Sequence, residues 1–238
     1  MRILVAVCTY NEADNIHEVL TRIITAVPEA DVLVVDDDSP DQTSELVEQF
    51  SRSCDGQHTV RCLVRHERGL GGAIRQAMKV AVEERYDLFC NLDADLSHDP
   101  ADLPGLIDLI ASAKVDIAVG SRYVPGGDIV GWPMHRKWMS RTINAVARRK
   151  LGLPVNDASG SFRCYRVSRL AELDLDAESS DGYSFLQEVL LRLHRSGATM
   201  AELPIRFTER IAGDSKLNFR EAIRSGWTVF RLGASDSK

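Results

Sequence analysis

The sequence lacks several features that would place it in familiar classes. No apolar run approaches the roughly 20 residues that a helix needs to cross a bilayer, and the N-terminus carries no signal-peptide cleavage pattern. A basic surplus is missing, because 35 acidic residues outnumber 29 basic ones, which argues against nucleic-acid binding. The five cysteines show no CxxC spacing, which predicts free thiols in a reducing cytoplasm.

Two common nucleotide-binding motifs are also absent. The first predicted strand is not followed by GxGxxG, and GxxxxGK[ST] does not occur. Neither a dinucleotide-binding Rossmann site nor a P-loop is therefore supported. The glycine-rich stretch at 69–72 opens a predicted helix, either to let backbone approach a ligand or as a simple turn.

The net charge of −6 hides a division along the chain. Residues 1–121 hold 10 Lys and Arg against 22 Asp and Glu, whereas residues 122–238 hold 19 against 13. Charge asymmetry of this kind suggests two binding tasks. Because no linker separates the halves, we predict a single domain over 1–238, with two lobes at 1–121 and 122–238.

Alternating patterns predict an α/β fold with an open, mostly parallel sheet flanked by helices. Apolar runs predict strands at 2–9, 32–35, 60–64, 88–92, 117–119, 161–166 and 200–207. Helical spacing is found at 132–151, 183–195 and 217–232, among other segments. Asp14 is the predicted N-cap of the first helix, and Asp99 with Pro100 is predicted to start a later one.

Polar residues gather where the predicted strands end, at 9–12, 36–41, 93–95 and 120–123. Ligands of open α/β sheets bind at the carboxyl ends of strands, although Asp, Ser and Gly also favour ordinary turns. Asp93 and Asp95 are the best metal candidates, because two carboxylates just past a strand can converge on one hard cation. Mg²⁺ or Mn²⁺ takes one or two carboxylates together with phosphate oxygens and water, which predicts a diphosphate-bearing ligand.

Six short motifs follow one another along nearly the whole chain. They lie at 8–12 (CTYNE), 36–43 (DDDSPDQT), 69–71 (GLG), 93–98 (DADLSH), 120–123 (GSRY) and 210–217 (RIAGDSKL). As a set they resemble the polyprenyl-phosphate mannosyltransferases (dolichol-phosphate mannose synthases) among the inverting family-2 glycosyltransferases. The sequence departs from the usual family pattern at Cys8, which replaces a proline, and at Asp38 and Gln42, which replace two glycines. Ser97 stands where some relatives carry glutamine.

The resemblance implies a single GT-A-type catalytic domain with C-terminal helices on the acceptor side. In it, the lobe at 1–121 would bind the nucleotide sugar and the lobe at 122–238 would face the acceptor and the membrane. The resemblance also implies inverting transfer of mannose from GDP-mannose to a polyprenyl (dolichyl-type) phosphate, with Mg²⁺ or Mn²⁺. The implied nucleotide-sugar residues are Cys8, Tyr10, Glu12, Val35, Asp37, Asp93, Ala94, Asp95, Arg210 and Lys216. The implied metal residues are Asp93, Asp95 and Ser97. The implied acceptor-phosphate residues are Arg122, Arg136 and Ser140. The residues expected to carry catalysis are Asp95, Arg122, Arg210 and Lys216.

The implied acceptor affects which catalytic groups are needed. A phosphate monoester has a second pKa of about 6 and is already largely dianionic at neutral pH, so it needs no general base. Asp157 could be proposed as a base, but we expect it to have an orienting role, towards Arg163, or a structural one. His98, beside the aspartate pair, is expected to be a turn residue.

The segment 129–155 contains six Lys and Arg, interleaved with Trp and Met, and no acid. This combination suits an interfacial helix on anionic lipid, although a solvated helix face is the simpler alternative. We therefore expect peripheral association with the cytoplasmic face of a membrane, either through surface helices or through a membrane-protein partner.

Other functions remain open at this point. A related enzyme could use another donor such as UDP-glucose, or another acceptor. A non-catalytic sugar-nucleotide-binding protein would keep the same pocket. A phosphoacceptor signalling domain also has acidic strand ends, but its pocket should follow the first strand and would leave the basic half unexplained.

Overall fold

A computed structural model describes residues 1–54, 56–113, 115–176 and 183–209. The predicted helix at 217–232 lies outside the described residues, and so do Arg210 and Lys216. Within the described ranges, no helix combines the length and apolar character required to cross a lipid bilayer.

Nine strands and seven α-helices lie in the described residues. The strands are β1 (Ile3–Thr9), β2 (Asp31–Asp36), β3 (Val60–Val64), β4 (Leu88–Asp93), β5 (Ile117–Ser121), β6 (Asp128–Val130), β7 (Arg163–Arg166), β8 (Met200–Pro204) and β9 (Arg206–Thr208). The helices are α1 (Ile16–Ala26), α2 (Thr43–Ser53), α3 (Leu70–Glu83), α4 (Leu103–Ala113), α5 (Met134–Leu151), α6 (Val167–Leu170) and α7 (Tyr183–Arg195). A 3₁₀ turn, Pro100–Asp102, leads into α4.

Seven of the strands form one sheet in the order β3-β2-β1-β4-β7-β5-β8. β7 runs antiparallel to both of its neighbours, whereas the other paired strands of this sheet are parallel. The predicted open, mostly parallel sheet is therefore confirmed. Its strands come from both halves of the chain, since β7 and β8 belong to the second half.

Side-chain alternation along the buried strands supplies apolar residues to both faces of the sheet. In β1, Leu4 and Ala6 join a core with α3 and α7, while Val5 and Val7 join a core with α1 and α4. A sheet covered by helices on both faces needs such continuous apolar strands. The uncovered places are then the strand ends, where the polar residues lie.

The predicted N-cap at Asp14 is wrong. Helix α1 begins at Ile16 after Asn15, whose side chain makes no capping bond to the backbone. The Glu12 carbonyl accepts instead from the backbone N–H groups of Asn15 and Ile16, and Asn15 Nδ2 donates to Glu12 Oε2. The turn that follows β1 therefore closes on Glu12. The predicted cap at Asp99 is confirmed, because its carboxylate accepts from the Ala101 N–H.

The strand predicted at 200–207 is divided in two. Pro204 has no N–H to continue a ladder, and β8 ends there. The Ile205 N–H donates to the Ser121 carbonyl, after which β9 pairs with β6 as a separate two-stranded sheet. This small sheet lies beside the carboxyl edge of the main one, because the Thr208 N–H donates to the Ser97 carbonyl.

Candidate active site

The carboxyl ends of β1, β2 and β4 meet at one edge of the sheet. In the strand register, Cys8 is opposite Val35 on one side and Asp93 on the other, and Thr9 is opposite Asp36. Three of the residues implied to hold the nucleotide sugar are thus neighbours through the ladder itself. Parallel strands bring their last residues together in this way, although the three residues are distant in sequence.

Asp36 is a structural carboxylate of this edge. It is fully buried and accepts hydrogen bonds from Thr9 Oγ1 at 2.7 Å, from Ser39 Oγ at 2.6 Å and from the Ser39 N–H at 2.9 Å. A buried carboxylate needs several donors of this kind. Asp36 therefore fixes the turn that presents Asp37 and Asp38.

Asp37 is held from two sides. Arg65 Nη1 donates to its Oδ1 and the Gly69 N–H to its Oδ2, both at 2.7 Å. Burial raises the pKa of Asp37, and the Gly69 and Arg65 contacts oppose that rise. A Cβ atom on Gly72 would lie 2.4 Å from Arg65 Nη2. The glycine-rich stretch thus leaves room for Arg65 and supplies a backbone donor to Asp37, a role that the sequence did not reveal.

The remaining residues of the first motif, at 8–12, have contacts of different kinds. Burial raises the pKa of the Cys8 thiol far above its usual value, so it is a neutral packing group and not a nucleophile. The Tyr10 ring lies under the Arg68 guanidinium, 4.1 Å from ring centre to Cζ. The Glu12 N–H donates to Thr43 Oγ1 at 3.1 Å, which ties the motif to the start of α2.

Asp93 and Asp95 follow β4 in different surroundings. Asp93 is partly exposed, accepts a 2.6 Å hydrogen bond from Ser161 Oγ, and has its Oδ2 3.6 Å from His98 Nδ1. Asp95 is buried and accepts from the Ser97 N–H at 3.0 Å across a left-handed Leu96. Ala94 is buried between the two aspartates.

The hydroxyl of Ser97 indicates what this turn could bind. It is buried and has no hydrogen-bond partner among the described residues, which is uncommon for a buried polar atom. Over the same part of the chain, no three His, Cys, Asp or Glu side chains group as a metal site. Two carboxylates and an unpartnered hydroxyl fit Mg²⁺ or Mn²⁺ whose coordination is completed by phosphate and water.

His98 is more than a turn residue. Its ring is buried between Phe162 and Phe207, with ring centres 5.1 and 5.3 Å away. Burial lowers its pKa in spite of the nearby Asp93, and the Asp93 N–H points at Nδ1 at 3.4 Å. The neutral His98 imidazole therefore packs against the turn that carries Asp93 and Asp95. The phenylalanines come from distant segments, so the sequence carried no signal of this contact.

Arg122 and Asp157 form a buried ion pair at the end of β5. Arg122 Nε and Nη2 donate to the two carboxylate oxygens at 2.7 and 2.8 Å. Burial alone would raise the pKa of Asp157 and lower that of Arg122, but their mutual charge and hydrogen bonds reverse both effects. The expected orientation of Asp157 towards Arg163 is wrong, because Arg122 reaches the carboxylate with a bidentate fork.

Arg163 has a different set of partners. It is fully buried and donates to the Leu186 carbonyl at 2.7 Å and to the Ala158 carbonyl at 2.8 Å. Its Nη1 also contacts Tyr165 Oη at 3.2 Å. Arg163 therefore fastens the loop that carries Asp157 to helix α7.

The remaining acceptor-phosphate candidates lie on α5. Arg136 Nη1 donates to Glu209 Oε1 at 2.7 Å, and its guanidinium stacks 3.9 Å from the centre of the Trp132 ring. Ser140 Oγ and Tyr123 Oη share a 2.6 Å hydrogen bond. The roles assigned to Arg122, Arg136 and Ser140 stay predictions.

The sheet and its carboxylate-lined edge make a GT-A-like α/β fold. The structure of glucosyl-3-phosphoglycerate synthase from Mycobacterium tuberculosis, with Mn²⁺, UDP and glucosyl-3-phosphoglycerate, superposes with a TM-score of 0.69 over 98% of this chain and 79% of that one, at 17% identity. Mannosyltransferase PcManGT from Pyrobaculum calidifontis, with GDP-Man and Mn²⁺, gives 0.68 over 100% of this chain and 65% of that one, at 18% identity. At these identities the likeness concerns the fold alone.

Sequence similarity defines the family. Residues 4–174 match glycosyl transferase family 2, and the chain belongs to that family of glycosyltransferases. It is 39% identical to undecaprenyl-phosphate mannosyltransferase from Micrococcus luteus, over 92% of this chain and 88% of the relative. It is 38% identical to polyprenol monophosphomannose synthase from Mycolicibacterium smegmatis, over 93% of this chain and 84% of the relative.

Proposed function

We propose that the protein transfers mannose from GDP-mannose to a polyprenyl phosphate, with inversion at the sugar and with Mg²⁺ or Mn²⁺. The observation that carries the proposal is the turn after β4, at the carboxyl edge of the sheet, which brings together Asp93, Asp95 and a buried Ser97 hydroxyl without a partner among the described residues. The names of the two bacterial relatives supply the sugar and the acceptor class.

On the donor side, negative charge grows on the leaving diphosphate as the sugar departs. A divalent cation, when bound, offsets that charge, and Asp93, Asp95 and Ser97 are the residues that would hold it. Asp37 and Cys8 lie at the adjoining strand ends, where the nucleoside would bind. Arg210 and Lys216 are proposed to contact the diphosphate.

On the acceptor side, the state of Asp157 favours a phosphate over a hydroxyl. A hydroxyl acceptor needs a general base, but both oxygens of Asp157 are bonded to Arg122 and its pKa is lowered. A carboxylate in that state is a weak base. A phosphate dianion needs instead positive charge beside it, and we propose that Arg136 on α5, together with Arg122 and Ser140, binds it.

Helix α5 also supports a membrane location for the acceptor. Its exposed side chains include Met134, Trp138, Met139 and Val146, and such a mixture with arginines favours the interface of an anionic membrane. We propose that the protein works at the cytoplasmic surface of a membrane, directly or through a membrane-protein partner.

The test is transfer with purified protein. Radiolabelled GDP-mannose or UDP-glucose is incubated with a polyprenyl phosphate and Mn²⁺, Mg²⁺ or EDTA, and label in the organic phase is counted. We expect label from GDP-mannose only, dependent on metal, with inverted anomeric configuration by NMR. Transfer from UDP-glucose alone would show that UDP-glucose, not GDP-mannose, is the donor. Absence of lipid-soluble label with both donors would contradict the proposal.

Matched variants test the metal residues in the same assay. We expect Asp95→Asn to lower kcat by about a hundredfold or more, since even outer-shell partners of metal ligands are worth about 10- to 100-fold. Asp108→Asn, an identical change at an exposed position of α4, should keep wild-type turnover. Near-normal turnover of Asp95→Asn would remove Asp95 from the metal site.

A further inference from the structure

A basic cavity that opens to solvent lies against the second half of α5, and its three arginines are exposed. Its volume is about 690 Å³, and it is lined by Arg141, Arg148 and Arg149 of the helix together with Tyr123, Leu153 and Asn156. None of the three arginines is among the residues assigned to the donor, the metal or the acceptor phosphate. The cavity is therefore an additional feature of the acceptor-side lobe.

The end of α5 creates the cavity. Arg141, Arg148 and Arg149 are seven and eight residues apart along the helix, a spacing that puts them on one face. Gly152 ends the helix in a left-handed conformation, with φ of 64°, and both its N–H and the Leu153 N–H donate to the Arg148 carbonyl. The chain then turns back, so that Leu153 and Asn156 form the opposite wall.

The charge in this cavity is not balanced by the described part of the chain. Elsewhere on α5, Arg136 pairs with Glu209 and Lys137 lies 3.8 Å from Asp128. By contrast, no carboxylate within the described ranges pairs with any of the three cavity arginines. Arg148 Nη1 donates only to a neutral amide oxygen, that of Asn156, at 2.7 Å.

Three guanidinium groups that share a cavity repel one another, and an anion relieves that repulsion. Guanidinium forks match the oxygens of a phosphate group and bind it with paired hydrogen bonds. Tyr123 also lines the cavity, but its hydroxyl is bonded to Ser140 Oγ, so the guanidinium groups are the part of the lining that would hold the ligand. The chemistry of the lining thus selects a phosphate.

The position on α5 indicates where the phosphate comes from. Met134 and Trp138 are 77 and 72% exposed, and their helical spacing puts them on the face that bears Ala145 and Arg149. Trp138 and Met134 lie about one and two turns from Arg141, and about three and four turns from Arg148, an arrangement that suits a lipid headgroup layer. We propose that the cavity binds the phosphate of an anionic membrane phospholipid, at a site lined by none of Arg122, Arg136 and Ser140.

The test compares two double variants on vesicles. Wild-type protein is sedimented with phosphatidylcholine vesicles that contain or lack 30% phosphatidylglycerol. We expect Arg148→Gln with Arg149→Gln to lose about tenfold in affinity for the anionic vesicles. Lys137→Gln with Lys150→Gln removes the same charge from the same helix outside the cavity lining, and should lose clearly less. Equal losses would mean diffuse attraction and would overturn a cavity site.

Further arms separate the sources of the phosphate and the effects of folding. Millimolar inorganic phosphate or glycerol phosphate should not release the protein from anionic vesicles, and full release would make the cavity a site for free phosphate.

Trp138→Ala should weaken binding to both vesicle types yet keep the preference for phosphatidylglycerol. Arg141→Gln repeats the test should the double variant unfold. Because the readout is vesicle binding, its result is independent of mannosyl transfer.

Discussion

The Arg122–Asp157 pair holds the loop at 156–161 against the end of β5. Both side chains are buried, and the carboxylate also accepts from the Arg122 and Gly160 N–H groups at 3.2 and 3.0 Å. Removing one member of such a pair leaves the other charge buried and uncompensated. The same loop supplies Ser161, whose hydroxyl binds Asp93, so the pair also sets the position of a proposed metal ligand.

We expect Asp157→Asn to lower the free energy of unfolding by about 3–5 kcal/mol at pH 7. The pKa of Asp157 is lowered in the folded protein, so its stabilisation is complete above the ordinary value of about 4 and is lost as the pH falls through the folded value. The difference from wild type, measured by urea unfolding, should therefore shrink below about pH 4.

Asp108→Asn is the control, because an exposed substitution of this kind changes stability by about 0.5 kcal/mol or less. A difference for Asp157→Asn that stayed constant down to pH 3 would show that the carboxylate charge is not what stabilises the loop.

Sequence reasoning identified the residues at the strand ends but not their partners. Asp93, Asp95 and Asp37 were recognisable from spacing, because parallel strands deliver their last residues to one edge. Arg65 and His98 were missed as partners, because both make contacts that are distant in sequence. Arg65 reaches Asp37 across 28 residues. His98 packs against Phe162 and Phe207, which lie in later segments of the chain. The choice of Arg122 over Arg163 for Asp157 likewise depends on side-chain direction, which the sequence does not encode locally.

At the scale of elements, the loop between β2 and α2 has two left-handed residues. Asp38 and Gln42 have φ of 55° and 67°, and they occupy the positions at which the resembled family has glycine. Left-handed backbone costs a residue with a Cβ about 1–2 kcal/mol, and aspartate tolerates it better than glutamine does. The strand-to-helix turn thus keeps its shape at some cost in stability.

We expect Gln42→Gly to raise the free energy of unfolding by about 0.5–1 kcal/mol, because relief of the left-handed strain exceeds the extra chain entropy of glycine. Glycine is also acceptable at an N-cap, the place of Gln42 in α2. Denaturant unfolding measures the change. Gln42→Ala keeps the Cβ and should show no gain, and equal stability of the two variants would contradict the strain.

The elements that sequence patterns predicted well are those with strong periodicity. Helix α7 begins and ends where the apolar spacing placed it, at 183 and 195. Strands β6 and β9 were not predicted as a pair, because three residues are too few to show alternation. Their pairing is decided by the Ile205–Ser121 hydrogen bond and by Pro204, which are tertiary and local constraints rather than periodic ones.

For the molecule as a whole, metal and nucleotide should stabilise the fold together rather than separately. The described residues bring no three His, Cys, Asp or Glu side chains together as a metal site, so we expect the cation affinity to depend on the diphosphate. A ligand at a hundredfold excess over its Kd adds about 2.7 kcal/mol, which for a chain of this size raises Tm by about 5–10 °C.

Differential scanning fluorimetry tests this with Mn²⁺, GDP, and both. We expect little shift with Mn²⁺ alone and the full shift with both, reduced by Ser97→Ala. A full shift with Mn²⁺ alone would indicate a complete protein site for the metal and would contradict this account.

The charge division of the sequence has a structural counterpart, but a coarse one. The acidic half supplies the carboxylates at the carboxyl edge of the sheet, and the basic half supplies the arginines of α5. Yet Arg65 of the acidic half holds Asp37, and Asp157 of the basic half neutralises Arg122. Counting charges by segment therefore indicates where groups of each sign are concentrated, but not which of them are already paired within the protein.

Strand β7 has a consequence for how the chain is made. It lies between β4 and β5, so a nascent chain that ends before residue 163 has both of those strands without their common neighbour. Strand edges left open in this way pair with other chains. During synthesis, the sheet therefore closes only after the later half has emerged, and we expect a chain that stops in between to associate with other chains through its open strand edges.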